Sequence, residues 1–295
     1  MQTAEFQEDQ ASGLRRMLNP QPVRVIAVSS GKGGVGKTNV SVNLAVAMQN
    51  AGHDVLIMDG DLGLANADVL LGVQPSYNLS HVLSGEATLE ETVVTSTSGV
   101  KLVPAASGTK SMTELSEAEH TGVVRAFSEL NMPLDTLIVD TAAGISDGVV
   151  SFVRAAREVL VVVCDEPASI TDAYALIKVL SAEYGVNRFH VLANMAQSAQ
   201  HGRQLFAKLV AVTDRFLDVT LTLLGVIPRD DYLLKAVQKR KPVVEAFPRS
   251  RAALAFSKLV QKIDRWPIPD AAAGHLEFFV ERLIQYSADQ GGPYS

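Results

Sequence analysis

The stretch Ser30-Gly31-Lys32-Gly33-Gly34-Val35-Gly36-Lys37-Thr38 decides the fold of this chain. It contains the pattern Gly-x-x-x-x-Gly-Lys-Thr, in which the glycines allow backbone N–H groups to close around phosphate oxygens. In such a loop Lys37 reaches the β and γ phosphates of a nucleotide, and Thr38 supplies a hydroxyl to magnesium. The residues that we predict to contact the nucleotide in this region are Gly31, Lys32, Gly33, Gly34, Val35, Gly36, Lys37, Thr38 and Asn39.

The same stretch also fits the fingerprint of a dinucleotide-binding fold. Gly31, Gly33 and Gly36 satisfy Gly-x-Gly-x-x-Gly, and Asp59 lies near the spacing at which such folds place a ribose-binding acid. A dinucleotide-binding turn, however, has no use for a Lys-Thr pair at the start of the helix. We therefore interpret the stretch as a phosphate-binding loop.

Short apolar runs alternate with segments of helical period along the rest of the chain. These runs are Val23–Val28, Asp54–Met58, Val100–Val103, Thr136–Val139, Val159–Val163, Phe189–Leu192 and Leu221–Ile227. Continuous apolar runs indicate strands that are buried on both faces, as in a parallel sheet. The order predicts a doubly wound α/β fold with a mostly parallel sheet and helices on both faces. Ligands of this fold class bind at the carboxyl ends of the strands.

The composition limits the domain count and the class of protein. The chain has 295 residues, of which 47% are apolar and 20% charged, enough to bury one large core. We predict a domain over residues 23–266, preceded by a separate segment, 1–22, and followed by a tail, 267–295. The formal charge of −6 disfavours a dedicated nucleic-acid binder. Cys164, the single cysteine, lies in an apolar run, so we expect it to be buried and no disulfide within the chain.

Acidic residues follow two of the predicted strands. Asp59 and Asp61 end the second strand, where both can face a metal–phosphate site once the strand gives way to a loop, although capping of a helix is an alternative. Asp140 ends a later buried strand, as an aspartate that holds magnesium through water should. We predict Thr38, Asp59 and Asp140 as the magnesium site.

The phosphate-binding loop resembles the deviant Walker A loop of the MinD/ParA superfamily of P-loop ATPases, because Lys32 follows the first glycine. The resemblance covers about residues 22–266. It implies that two subunits close face to face on ATP and magnesium, and that Lys32 reaches the nucleotide of the partner subunit. It further implies slow hydrolysis of ATP to ADP, with Lys32, Lys37 and Asp61 as catalytic residues and Asp61 activating the attacking water.

The resemblance also implies which residues contact adenine. Asn194, at the end of a strand, resembles the base-reading asparagine of the family, and Pro228, Arg229 and Asp230 resemble the segment that passes along the base. From composition alone, an asparagine at a strand end is more often a turn former than a ligand.

The N-terminal segment resembles the FlhG (FleN) family, MinD-like regulators of bacterial flagellar number. Residues 9–15 match the pattern Asp-Gln-Ala-x-x-Leu-Arg, through which FlhG proteins stimulate the GTPase FlhF. The match implies contacts of this partner with Asp9, Gln10, Ala11, Leu14 and Arg15. It also implies control of flagellar number and placement, with a FleQ-like transcription activator and flagellar switch proteins as further partners.

The C-terminal tail contains a candidate amphipathic helix. Its apolar face would comprise Leu276, Phe279, Val280, Leu283 and Ile284. MinD relatives use such a helix to bind membrane when ATP drives dimerisation. The polar face here carries glutamates rather than the usual excess of lysine and arginine, so membrane binding and docking on the protein's own body both stay open.

We expect a cytoplasmic protein, because residues 1–22 lack the features of a secretory signal and no apolar run has the length of a bilayer span. Peripheral attachment to the inner face of the cell membrane, or location at a cell pole, stays open.

Between residues 235 and 265 the chain carries nine basic residues against Glu245 and Asp264. A solvated helical face is the ordinary explanation. Contact with an acidic protein, with anionic lipid or with nonspecific DNA is the sharper alternative. The alternative function is therefore that of a ParA-like DNA-partition ATPase, although we do not expect recognition of a specific nucleic-acid sequence.

Overall fold

The computed structural model describes residues 22–61, 66–105, 116–267, 277–280 and 282. The predicted partner-binding residues Asp9, Gln10, Ala11, Leu14 and Arg15 lie outside the described residues, as do Leu276, Leu283 and Ile284 of the tail.

A sheet of eight strands forms the centre of the described structure, in the order β3-β4-β2-β5-β1-β6-β7-β8. All neighbouring strands are parallel except β3 and β4. The strands are β1 (Arg24–Ser30), β2 (Val55–Gly60), β3 (Val94–Thr95), β4 (Lys101–Val103), β5 (Thr136–Ala143), β6 (Glu158–Val163), β7 (Arg188–Ala196) and β8 (Thr220–Pro228). The predicted doubly wound, mostly parallel fold is confirmed, and each of the predicted apolar runs forms a strand. The sequence patterns missed β3, because two residues are too short for a periodic signal.

Helices cover both faces of the sheet. They are α1 (Lys37–Asn50), α2 (Ala67–Leu71), α3 (Leu79–Leu83), α4 (Leu89–Thr92), α5 (Glu117–Ser128), α6 (Asp147–Ala155), α7 (Pro167–Tyr184), α8 (Ala199–Phe216), α9 (Asp231–Gln238), α10 (Val243–Ala246) and α11 (Arg251–Ile263). One apolar core lies between the sheet and α5 to α8, and a second lies between the sheet and α1, α2 and α9 to α11.

Strand β1 shows why the sheet needs apolar residues on both faces. Successive side chains of a strand point to opposite faces. Val25 and Ala27 belong to the core on one face, whereas Ile26 and Val28 belong to the core on the other, and all four are buried.

The strand order places the phosphate-binding loop at the centre of one sheet edge. Strand β1 lies between β5 and β6, so the chain leaves β1 with β2 and β5 on one side and β6 and β7 on the other. Because parallel strands end at the same edge, the residues that follow all five strands converge there. This edge is where a doubly wound fold binds its ligands.

Candidate nucleotide-binding site

The loop after β1 forms an anion-binding cradle. Gly34 and Gly36 have φ angles of 82° and 84°, in the left-handed region that side chains rarely adopt. Gly36 precedes the first turn of α1, which has no acidic residue and no side-chain cap. The backbone N–H groups and the positive end of the helix dipole therefore remain available to a phosphate.

Close packing also requires a glycine at the start of this loop. A Cβ added to Gly31 would lie 2.1 Å from the backbone carbon of Asp172 in α7, so this helix lies directly against the loop. Gly33 and Gly34 are exposed, and Val35 is buried beneath them. The loop thus exposes Gly33 and Gly34, whereas Gly31 packs against α7 and Val35 is buried in the core.

Lys37 makes a buried ion pair with Asp140. Lys37 Nζ lies 2.9 Å from Asp140 Oδ1, and the two side chains are 7% and 0% exposed. Ser41 Oγ donates a second hydrogen bond to the same oxygen, at 2.8 Å. Asp140 Oδ2 is buried and has no hydrogen-bond partner within the described residues. A magnesium-bound water would satisfy this oxygen, so Asp140 is chemically suited to the ion.

Asp59 lies beside Asp140, because the two residues are paired in register on β2 and β5. Burial, and then the neighbouring charge of Asp140, raises the pKa of Asp59 to about 7. Two buried carboxylates that share one lysine form a centre that attracts a further cation. Within the described residues there is no cluster of three or more His, Cys, Asp or Glu that could hold a metal alone. A magnesium ion here would depend on phosphate, water and the hydroxyl of Thr38, which is the second residue of α1.

Asp59 also accepts hydrogen bonds from residues on both sides of the segment 62–65. Its Oδ1 accepts a hydrogen bond from Asp61 N at 3.1 Å, and its Oδ2 accepts from Asn66 N and Ala67 N, each at 3.2 Å. Asp59 therefore joins both ends of the loop and caps the start of α2, which the sequence left open as the alternative. Asp61 is half-buried and directly follows β2; its role in orienting water stays a prediction.

The side chain of Lys32 forms an ion pair with Glu166 of the same subunit. Its Nζ lies 2.5 Å from Glu166 Oε2, and the side chains are 30% and 56% exposed. The hydrogen bond to Glu166 raises the pKa of Lys32. Glu166 immediately precedes Pro167, the first residue of α7, and so follows β6 at the same sheet edge. Glu166 is not among the predicted site residues, although its position just after a buried strand is a usable signal.

The predicted adenine-contacting residues lie at the carboxyl ends of β7 and β8: Asn194 is near the end of β7, Pro228 is the last residue of β8, and Arg229 and Asp230 follow it. Asn194 is buried, and its Nδ2 donates to Val35 O of the phosphate-binding loop at 2.8 Å. Arg229 N donates to Ala196 O at 2.8 Å, which joins the segment after β8 to the end of β7. Asn194 thus binds the loop rather than forming a turn of its own.

The side chain of Asp230 stabilises the starts of two helices in this region. Its Oδ1 accepts from Tyr232 N and its Oδ2 from Ala252 N, both at 2.9 Å, so it caps α9 and α11 together. Any contact of this residue with a base is therefore left to its backbone. A cavity of about 560 Å³ adjoins the segment, lined by Gln197, Arg229, Asp230, Asp231, Tyr232, Arg249, Ser250 and Arg251.

Comparison with known proteins identifies the family. A sequence model described as ParA, NUBPL iron-transfer P-loop NTPase, matches residues 21–264. The antiactivator FleN of Pseudomonas aeruginosa is 60% identical over 275 residues, which cover 93% of this chain and 98% of that protein. The chain belongs to the FleN family of MinD-like P-loop NTPases. The flagellum site-determining protein YlxH of Helicobacter pylori is 33% identical over 91% of this chain and 92% of its own length.

Solved MinD structures share the fold of this FleN-family chain. The cell division ATPase MinD of Pyrococcus furiosus superposes with a TM-score of 0.69 at 27% identity, covering 83% of this chain and 99% of that one. MinD of Pyrococcus horikoshii complexed with Mg-ADP gives a TM-score of 0.68 at 28% identity, covering 83% and 97%. The predicted family is thus confirmed by sequence and by fold.

The described part of the tail docks on the body of this FleN-family chain. Phe278 and Phe279 are 4% and 1% exposed, and their ring centroids lie 5.4 and 6.4 Å from that of Phe127 in α5. Glu277 pairs with Arg157 at 2.8 Å. Arg282 donates to the carbonyl oxygen of Leu130.

The tail corrects one prediction. Phe279 has a φ of 57°, so it lies in a turn and does not continue a helix that starts before it. The predicted apolar face therefore does not include Phe279, which is buried against the body, while Val280 is half-buried. None of the helices in the described part of the chain is long and apolar enough to cross a membrane.

Proposed function

We propose that this protein is a switch that dimerises when it binds ATP and magnesium, hydrolyses ATP to ADP, and thereby controls flagellar number and placement. The observation that carries this proposal is the buried Lys37–Asp140 pair beside Asp59, directly beneath a glycine cradle at a helix start. The relatives named antiactivator FleN and flagellum site-determining protein support the flagellar role.

The chain's own residues suit phosphoryl transfer to water. The loop and α1 bind the phosphates, and Lys37 exchanges Asp140 for the β and γ phosphates when nucleotide enters. Thr38 and, through water, Asp140 would hold magnesium, which would neutralise the charge of the phosphates. Asp61 orients the attacking water, and Asn194 contacts the adenine base. Positioning and charge account for most of the rate in this class of reaction.

Lys32 links nucleotide binding to dimerisation. In the described subunit its ammonium group pairs with Glu166 at the rim of the site. On closure of two subunits, Lys32 would exchange Glu166 for the phosphates of the partner's nucleotide, adding the positive charge that an arginine finger supplies in other NTPases. Hydrolysis and phosphate release then remove its binding partner and reopen the dimer.

The flagellar role is tested with the GTPase FlhF. Stimulation of FlhF by the wild type is compared with that by Gln10→Ala, with Gln7→Ala as a control glutamine outside the matched motif. We expect Gln10→Ala to lose the stimulation while ATP-dependent dimerisation is retained, and Gln7→Ala to keep both. Equal stimulation by all three proteins would remove FlhF activation from the proposal.

A DNA-partition function ranks second. The nine basic residues between 235 and 265 are all exposed, but several have partners in the chain: Lys241 pairs with Glu245, and Lys262 donates to Leu224 O. These contacts within the chain favour the interpretation of the basic residues as an ordinary solvated helical surface over a DNA-binding surface. DNA binding that requires ATP and falls steeply with salt would favour partition instead.

A further inference from the structure

Ser41 occupies a special place beneath the phosphate-binding loop. It lies one turn beyond Lys37 on α1 and is fully buried. Residues four apart share a helix face, so both side chains reach the same carboxylate. Both donate to Asp140 Oδ1, Ser41 at 2.8 Å and Lys37 at 2.9 Å. The donors are thus concentrated on one oxygen of Asp140, and Oδ2 has no hydrogen-bond partner within the described residues.

The hydroxyl proton of Ser41 has two acceptors within reach. Lys37 O lies 3.2 Å away and Asp140 Oδ1 lies 2.8 Å away. A hydroxyl has one proton to donate, and a bond to an ionised carboxylate is shorter and stronger than a bond to a neutral carbonyl. The proton therefore goes to Asp140.

The geometry points to Ser41 as a positioning residue that fixes the Asp140 carboxylate for magnesium. This inference rests on the proposed function, in which Lys37 leaves Asp140 for the phosphates. After that exchange, Ser41 would remain as a side-chain donor on Oδ1 and would leave Oδ2 available to a water held by magnesium. Without this hydroxyl, the Asp140 carboxylate would lose the hydrogen bond that fixes its orientation once Lys37 has moved to the phosphates.

The expected effect is on magnesium and not on nucleotide as such. Loss of a hydrogen bond to a group that holds a metal typically costs about 10- to 100-fold in metal affinity. Binding of a fluorescent ADP is therefore measured during a magnesium titration and again in EDTA. For Ser41→Ala we expect a magnesium requirement raised by about 10- to 100-fold, with unchanged binding in EDTA. Ser41→Thr retains a hydroxyl and should restore most of the wild-type requirement.

Ser29 offers a matched control. It is as deeply buried as Ser41, on β1, but its Oγ has no hydrogen-bond partner within the described residues. Ser29→Ala deletes a buried hydroxyl without removing a hydrogen bond to Asp140, and its magnesium requirement should equal that of the wild type. If Ser41→Ala does not fold, Ser41→Cys, which replaces the hydroxyl by a weaker hydrogen-bond donor, should still raise the magnesium requirement.

Two results would overturn the role of Ser41. One is a wild-type magnesium requirement in Ser41→Ala, or in Ser41→Cys where that variant replaces it. The other is an equal loss of ADP binding with and without magnesium, which would mean that Ser41 supports the loop itself. A wild type whose ADP binding ignores magnesium would instead contradict the proposed function.

Discussion

Replacing Lys37 by methionine tests whether this lysine stabilises the buried carboxylates of Asp59 and Asp140. The side chains of Lys37 and Asp140 are 7% and 0% exposed, and Lys37 Nζ lies 2.9 Å from Asp140 Oδ1. Asp59 lies beside them. Burial and the charge of Asp140 raise the pKa of Asp59, and the charge of Lys37 partly offsets this increase. Removing one partner of a buried ion pair typically costs about 3–5 kcal/mol, because the other charge is left uncompensated. We expect a loss of that size in the free energy of unfolding of the nucleotide-free protein.

The assay is urea unfolding of the wild type, Lys37→Met, Asp140→Asn and the double variant. The two side chains are in contact, so the double variant should lose less than the sum of the single losses. Lys178→Met, at an exposed position on α7, should stay within about 0.5 kcal/mol of the wild type. A loss below about 1 kcal/mol in Lys37→Met, or strictly additive losses, would refute the reasoning.

Other predictions concern the rim, the loop and pH. Glu166→Gln removes the charge that holds Lys32, so dimers should form at a lower ATP concentration in light scattering; a higher ATP requirement would mean that Glu166 supports the dimer. Gly36→Ala places a residue with a side chain at a φ of 84° and puts its Cβ 2.5 Å from Asn194 Nδ2. ADP binding should therefore weaken by about tenfold or more. Gly85→Ala, which adds a Cβ at a φ of 75° with no atom within 4 Å, should bind ADP normally, and equal binding by both variants would contradict the cradle. The pKa of Asp59 is raised in the folded state to about 7 from 3.8, so the folded protein binds more protons and its free energy of unfolding should fall as pH rises through this window. Asp59→Asn should flatten that dependence in urea midpoints measured across pH; an unchanged slope would remove Asp59 as its source.

The sheet could be predicted because burial on both faces requires continuous apolar runs. The apolar runs are therefore visible in the sequence. Because parallel strands end at the same edge of the sheet, the runs also predict that Lys37, Asp59, Asp140 and Asn194 lie at one edge. Strand ends were less predictable. Strand β7 runs through Asn194 to Ala196, beyond its apolar run, since pairing with β8 and not hydropathy determines where it ends.

The missed contacts depend on geometry that the sequence does not encode locally. Lys32 and Glu166 are 134 residues apart, and their meeting follows from the packing of α7 on the loop. Ser41 was within reach of prediction, because it shares a helix face with Lys37. Phe279 fits a helical period but has a positive φ, and tertiary packing against Phe127 overrides the local pattern there.

Size-exclusion chromatography with light scattering tests the nucleotide switch most directly. The wild type and Asp61→Ala are compared in ADP with magnesium and in ATP with magnesium, with Asp68→Ala as a control acid on α2. The nucleotide switch predicts the subunit mass in ADP and twice that mass in ATP, with dimerisation most complete in Asp61→Ala, which cannot orient the attacking water. A mass that does not change with nucleotide, or an Asp61→Ala variant that fails to dimerise in ATP, would contradict it.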